Sequence, residues 1–597
     1  MSHYKSNLRD AEFNLFEVNK IQDHLGQGEW TDLDRETVDA ILIEIERIAG
    51  EDFAASYVDQ DRIPLELVDG EVKLPESVKK SVKVFKDGGW DKFGIPEELG
   101  GTPAPPSVVW AMSEMLMAAN TTAQFYAGGA MFARVLFEEG TEEQQEFAKL
   151  WLERDWGGTM ILTEPDAGSD VGAGTTKAID QGDGTWHIEG VKRFITAGEH
   201  DMNENIIHLV LARPEGGGPG TKGLSLFVVP KYLVGDDGSL GPRNGVYATN
   251  IEKKMGLKGS TTCEMTFGMD EPAIGYLVGD KHDGIRQMFR VIESARMMIG
   301  AKAMGTLSTG YLNALEYAQQ RVQGADLADA GDKTAPKVAI INHPNVRRML
   351  MKQKAYSEGL RALVFYTAWV QDQVLLHPED DLWERRNNLL LPMVKGYSSE
   401  KAYELLATSL QVFGGVGYTQ DFPIEQYIRD AKIDTIYEGT TGIQALDLFF
   451  RKIARDQGSA LASLAGEIVE FVKGGIDDDP LAVEREKLGT ILDDAQTQLG
   501  SIVESLMSSL SGDKDEIYKV GLQTDALLES LSEVVIAWQM LRQAEVAIER
   551  VDEDPFYRGK VESARWLLND VAPKVAARRD AAIAEDGSLM DLPVEAF

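Results

Sequence analysis

The stretch Ile436-Tyr437-Glu438-Gly439-Thr440-Thr441-Gly442-Ile443-Gln444 sets one carboxylate into a tight, glycine-containing turn, where backbone can approach a bound molecule closely. Such a carboxylate suits a general base. Two further motifs stand upstream, Ile161-Leu162-Thr163-Glu164-Pro165-Asp166-Ala167-Gly168-Ser169-Asp170 and Gln411-Val412-Phe413-Gly414-Gly415-Val416-Gly417. Taken singly, the first fits a strand-ending turn and the second a helix C-cap. Their joint occurrence in one order calls for a common explanation.

Working outward, the period of the apolar residues divides the chain. Up to about Trp156 it is helical, giving a helical domain over 1-156. Thr141-Glu142-Glu143-Gln144 has the form of a capping box and predicts a helix running into Phe147, Leu150 and Trp151, while Gly94 to Gly101 reads as a break between helices. Over 157-272 the period becomes two, as in Trp186/Ile188, Ile207/Leu209/Leu211 and Leu224/Leu226/Val228, so this is a β domain. Its Gly-rich loop from Pro214 to Lys222 lacks the Gly-Lys-Ser/Thr ending of a P-loop and reads as a surface hairpin.

Helical periodicity returns over 273-455. Gly414-Gly415-Val416-Gly417 follows a helix-like segment there rather than a strand, which argues against a Rossmann dinucleotide fold. A further helical domain covers 456-597, with Lys473 to Pro480 as a linker within it. Its stripes Leu488/Ile491/Leu492/Ala495/Leu499 and Leu527/Leu531/Val534/Val535/Trp538/Leu541 predict packing faces, against the main body or a second subunit.

The bulk numbers exclude several functions. A chain of 597 residues is long enough for several packed units, and a hydrophobic fraction of 43% marks it as globular. Sixty basic against 97 acidic residues give a net charge of -37, which disfavours nucleic acid and anionic membrane surfaces as partners. No apolar run reaches the roughly 20 residues that span a bilayer, the N-terminus has no signal-peptide core, and a cytoplasmic location is expected. Cys263 is the single cysteine, read as buried and inert, and the eight His show no metal-ligand spacing, so no metal site is expected.

With its three motifs and its helical, β, helical order, the chain resembles the acyl-CoA dehydrogenase superfamily from about Ser77 to Ile453, and its length and tail resemble the longer bacterial members. The resemblance implies an α+β, mostly α fold: an N-terminal helical domain, a central β-barrel-like domain and a C-terminal four-helix bundle, with an additional C-terminal helical domain. It implies FAD as cofactor, an acyl-CoA substrate oxidised to its trans-2-enoyl form in β-oxidation, an electron-transfer flavoprotein as acceptor, and a homodimer.

Residue by residue, the resemblance makes Glu438 the base for the α-proton and its amide an oxyanion donor. Met160, Leu162, Thr163 and Ser169 match the first flavin segment, Ser169 also neighbouring CoA; Phe194, Ile195 and Thr196 match the second, with Phe where many relatives have Trp. Gln411, Gly414 and Gly415 match the segment that meets a neighbouring subunit's FAD, and Thr440 and Gly442 the adenosine side. Arg321 matches a phosphate-binding Arg, although Gln323-Gly324 replaces the family's Phe-Gly. Tyr437, Gly439, Arg296 and Glu293 fall at the substrate. Some relatives keep the base immediately before the Arg, but Ala295 stands there, which leaves Glu438 without a rival.

Two other activities share the fold. One is oxidation of a short modified thioester such as 3-methylthiopropionyl-CoA, by relatives of this length. The other is a DNA-binding flavoprotein, against which the acidic tail from Leu481 argues.

Overall fold

The computed structural model describes residues 2–235, 237–475 and 479–597; part of the linker expected at Lys473 to Pro480 lies outside them. The chain forms two compact units, Met1–Tyr4 with Leu25–Ala295, and Lys5–His24 with Arg296–Phe597.

In the first unit, helices at Arg35–Ile48, Glu76–Asp87, Pro106–Ala127, Gly129–Glu139 and Glu142–Glu153 precede the sheet. The expected capping box starts the last of them: the Thr141 hydroxyl accepts from the Gln144 amide, and the Gln144 side chain accepts from the Thr141 amide. Turns at Trp90–Lys92 and Glu97–Leu99 form the expected break.

The eight-stranded sheet comprises β1 (Gly157–Ile161), β2 (Lys177–Asp180), β3 (Trp186–Ile195), β4 (Ile206–Pro214), β5 (Ser225–Pro230), β6 (Val246–Ile251), β7 (Cys263–Phe267) and β8 (Ala273–Leu277). Strand β3 pairs with β8, β8 with β5, β5 with β4, β4 with β2, and β2 with β3 again, so these strands close a ring. β7 and β6 extend from β3, and β1 lies parallel to β4. This is the barrel-like domain expected, but β8 lies beyond residue 272, in sequence assigned to helices. Without it the ring would be open.

Ile206 to Ala212 is buried throughout, not on alternate residues. Ile207, Leu209 and Leu211 join a core with Leu136 and Trp151 of the helices and with Trp156 just before β1, while Val210 and Ala212 join Trp186, Ile188, Phe227 and Cys263 in a second core. A strand covered on both faces reads as a continuous apolar run. Cys263 is buried, and burial pushes its thiol up to about 12, which makes it inert at neutral pH. The loop between β4 and β5 closes an antiparallel hairpin, with Ala212 opposite Ser225.

The second unit is helical, with Pro344–Leu376, Asp381–Pro392 and Ser398–Phe413 followed by Ala482–Ser511, Glu516–Ile548 and Pro555–Ala584. The tail packs against the rest of this unit: Tyr366 and Trp538 meet edge to face at 5.3 Å, and Tyr397 donates to Glu533 at 3.0 Å. The second apolar stripe thus packs through Trp538 against Tyr366 of the main body. Lys5–His24 groups here rather than with residues 25–156, and buried Asp10 is bound by Arg361 and Lys560. No helix among the described residues is long and apolar enough to cross a membrane.

Candidate active site

Glu438 lies between the turn Lys432–Thr435 and the helix Thr441–Leu446. Its backbone takes φ +56° and that of Gly439 +91°, two successive residues in the left-handed region. Thr440 stops the turn by capping the next helix, its hydroxyl accepting from the Ile443 amide. Gln444 Nε2 reaches back to the Glu438 carbonyl at 2.9 Å and the Gly439 carbonyl at 3.3 Å. The strained pair is thus held from its C-terminal side by residues of its own motif.

Charged side chains of the second unit surround this turn. Lys302 pairs with Asp434 at 2.5 Å, and the Tyr437 hydroxyl donates to the same carboxylate oxygen at 2.8 Å. Arg296 pairs with Asp447 at 2.8 Å. Lys395 is fully buried and donates to the Gly439 carbonyl. Desolvation pushes the Glu438 carboxyl up to about 7, against the pull of Lys395 and Arg296. A carboxyl in that range changes protonation state near neutral pH, which suits proton transfer. Sequence reasoning missed Lys395, Asp434, Lys302, Asp447 and Gln444; the available signal for Lys395 was a lone lysine in the apolar run from Leu389 to Tyr397.

The helix Ser398–Phe413 ends at Gly414, whose φ of +65° accounts for glycine there. Gly415 needs no positive φ, and a Cβ built on it would meet no atom within 4 Å. The fold therefore gives no reason for a glycine at 415, whereas an approaching ligand would. Gln411 is exposed beside it, and Phe413 stacks on Tyr317 at 4.6 Å. Arg321 and Gln323 are exposed, the Gln323 carbonyl meeting His343 Nε2 at 2.6 Å.

In the first unit, Met160 ends strand β1 with Ile161, and Leu162, Thr163 and the exposed Ser169 follow in the loop. The Thr163 carbonyl accepts from the Arg193 amide at 2.9 Å, which ties this loop to the end of β3 carrying Phe194, Ile195 and Thr196. Ile195 is buried, but Phe194 is 54% exposed with φ +63°, an unusual cost for a large apolar side chain. Glu293 is half-buried, with Arg290 at 4.0 Å.

Three family models match: "Acyl-CoA dehydrogenase, middle domain" over residues 159–269, "Acyl-CoA dehydrogenase, C-terminal domain" over 282–451, and "Acetyl-CoA dehydrogenase C-terminal like" over 464–593. Over its whole length and that of the relative, the chain is 53% identical to the broad-specificity linear acyl-CoA dehydrogenase FadE5 of Mycobacterium tuberculosis. It belongs to the acyl-CoA dehydrogenase family.

A second relative, the 3-methylmercaptopropionyl-CoA dehydrogenase of Ruegeria pomeroyi, is 33% identical over 96% of this chain and 97% of its own. The fold is that of the acyl-CoA dehydrogenase of Bacillus anthracis solved with FAD, with a TM-score of 0.73 at 20% identity over 97% of this chain and 93% of that one. As an acyl-CoA dehydrogenase of the long kind, this chain carries the extra C-terminal helical region as a matched part of the family pattern, not as an unrelated appendage.

Proposed function

We propose that this chain oxidises the Cα–Cβ bond of linear fatty acyl-CoA thioesters to the trans-2-enoyl form, with Glu438 as the base, as the first step of β-oxidation. The observation that carries the reading is the Glu438 turn: a carboxyl tuned to about 7, set on strained backbone and flanked by cations. The resting carboxylate removes the α-proton, and the amide of Glu438 donates to the thioester oxygen as negative charge develops there. Bound FAD supplies the two-electron acceptor for the β-hydrogen. Met160, Leu162, Thr163, Ser169, Phe194, Ile195 and Thr196 hold its ring, and Gln411, Gly414, Gly415, Arg321, Gln323, Thr440 and Gly442 its pyrophosphate and adenosine. Exposed Phe194 and the open space over Gly415 fit such a ligand.

Tyr437, Gly439, Ser169, Glu293 and Arg296 line the thioester in this reading. The electrons pass to an electron-transfer flavoprotein, the working form is a homodimer in the cytoplasm, and each pyrophosphate segment serves the partner's FAD. The test compares wild type with Glu438→Gln in anaerobic titrations with octanoyl-CoA and palmitoyl-CoA. Bleaching of the visible flavin bands in wild type alone supports the reading. Bleaching only with 3-methylmercaptopropionyl-CoA replaces the fatty chain by a short modified one, and no bleaching with any thioester overturns it.

A further inference from the structure

We propose that Lys395 is a positioning residue for the base: its ammonium clamps the Gly439 carbonyl and fixes the aim and charge of the Glu438 carboxylate. This rests on the proposed function, because it assigns Lys395 to the same proton transfer. Lys395 lies in the π-helical turn Met393–Tyr397, directly after Pro392, and is fully buried. Gly396 beside it leaves room for Gln444, since a Cβ there would fall 3.2 Å from Gln444 Cβ. The Glu438–Gly439 turn is therefore held at its carbonyls by two side chains, Lys395 and Gln444.

A structural role alone explains Lys395 poorly. Burying an ammonium is unfavourable unless a close counter-charge offsets the lost hydration. Among the described residues this ammonium donates to a backbone carbonyl, whereas buried Lys302 has the carboxylate of Asp434 at 2.5 Å. The acidic groups acting on Lys395 are Asp434, Glu438 and Glu400, with Arg296 opposing. Lys302 and Tyr437 both engage Asp434 Oδ1, while its buried Oδ2 has no hydrogen-bond partner among the described residues, and Glu400 accepts from the Thr441 hydroxyl. Lys395 thus lies in the field of both Asp434 and Glu438, and its hydrogen bond to the Gly439 carbonyl sets it on the turn that carries Glu438. Burial lowers Lys395 to about 8 while it raises Glu438 to about 7, so around pH 7 the lysine is the cation and the carboxyl is poised to titrate. Removing the cation leaves Glu438 facing desolvation with Arg296 alone and shifts its titration upward.

The test isolates proton abstraction from oxidation. A 3-thia fatty acyl-CoA has sulfur at the β-position and no β-hydrogen to lose, so exchange of its α-protons with deuterium oxide, followed by NMR against pH, reports the base. Full-length holoenzymes of wild type, Glu438→Gln, Lys395→Met, Lys395→Gln and Lys395→Arg are compared, with thioester affinity from calorimetry. In Lys395→Met we expect exchange to fall about 100-fold, its pH profile to move upward and affinity to stay within about threefold, with Lys395→Arg recovering at least about a tenth of the rate. If Lys395→Met does not fold, Lys395→Gln is held to the same expectations. Exchange and pH profile like wild type in a folded neutral variant overturn the inference and leave the function standing, as does loss of rate without any movement of the profile. No exchange by wild type, with any thioester, overturns both.

Discussion

Lys192 Nζ lies 3.0 Å from Glu164 Oε1 with both side chains buried, and the same ammonium donates to the Leu162 carbonyl at 2.8 Å. Glu164 also accepts from the Thr175 amide at 2.6 Å and the Thr176 amide at 3.0 Å. Three segments meet at one ion pair, and the loop carrying Leu162, Thr163 and Ser169 is pinned by it. Burial acts to raise the Glu164 carboxyl; Lys192 and the two threonines outweigh burial and hold it at about 2.

Lys192→Met strands that carboxylate in the interior. Losing one partner of a buried pair costs about 3–5 kcal/mol, so the urea midpoint should fall accordingly, with weaker FAD retention from the loosened loop. Because the folded carboxyl sits below its ordinary 4.5, wild-type stability from this pair is complete above that value and drains as pH falls toward about 2. Lys192→Met should lack that acid-dependent component in pH-resolved unfolding.

Glu438 has the opposite sign. Its folded pKa of about 7 exceeds the ordinary 4.5, so the folded state binds the extra proton between those values and loses stability as pH rises through them. Glu438→Gln removes the charge. At pH 8 it should be more stable than wild type by roughly 1–3 kcal/mol, reduced for partial exposure, and equal to it near pH 4. For the same reason wild-type kcat/KM should rise with pH to a plateau, with an apparent pKa of about 7.

Gly439→Ala puts a Cβ 2.7 Å from Gln444 Nε2 at φ +91°. Backbone strain of this kind costs about 1–3 kcal/mol, visible as a lower Tm. Displacing the turn also moves the base, and flavin reduction by octanoyl-CoA should slow by about 100-fold.

Gly415→Leu separates a ligand's claim on that position from the fold's. A Cβ there has no atom within 4 Å, so Tm of the FAD-free protein should stay within about 0.5 kcal/mol-equivalent of wild type, as for open surface changes. FAD affinity, measured by flavin fluorescence on reconstitution, should fall by at least about tenfold through lost close approach. Unchanged affinity would remove Gly415 from the cofactor site.

The order of helices, sheet and helices was legible in the sequence, as were the Thr141 capping box, the hairpin after Pro214 and the turn bearing Glu438. Each rests on residues within a few positions of one another: apolar period, cap side chains, and glycine where φ turns positive. Tertiary structure alone decided that Ala273–Leu277 closes the strand ring, that Ile206 to Ala212 is buried on both faces, and that Lys5–His24 joins Arg361 and Lys560. It also decided which cations surround Glu438, bringing Lys395 and Arg296 to bear on a carboxylate far along the chain. A sequence names its base through the local turn, but the charge around that base comes from contacts between distant residues, and only folding brings them together.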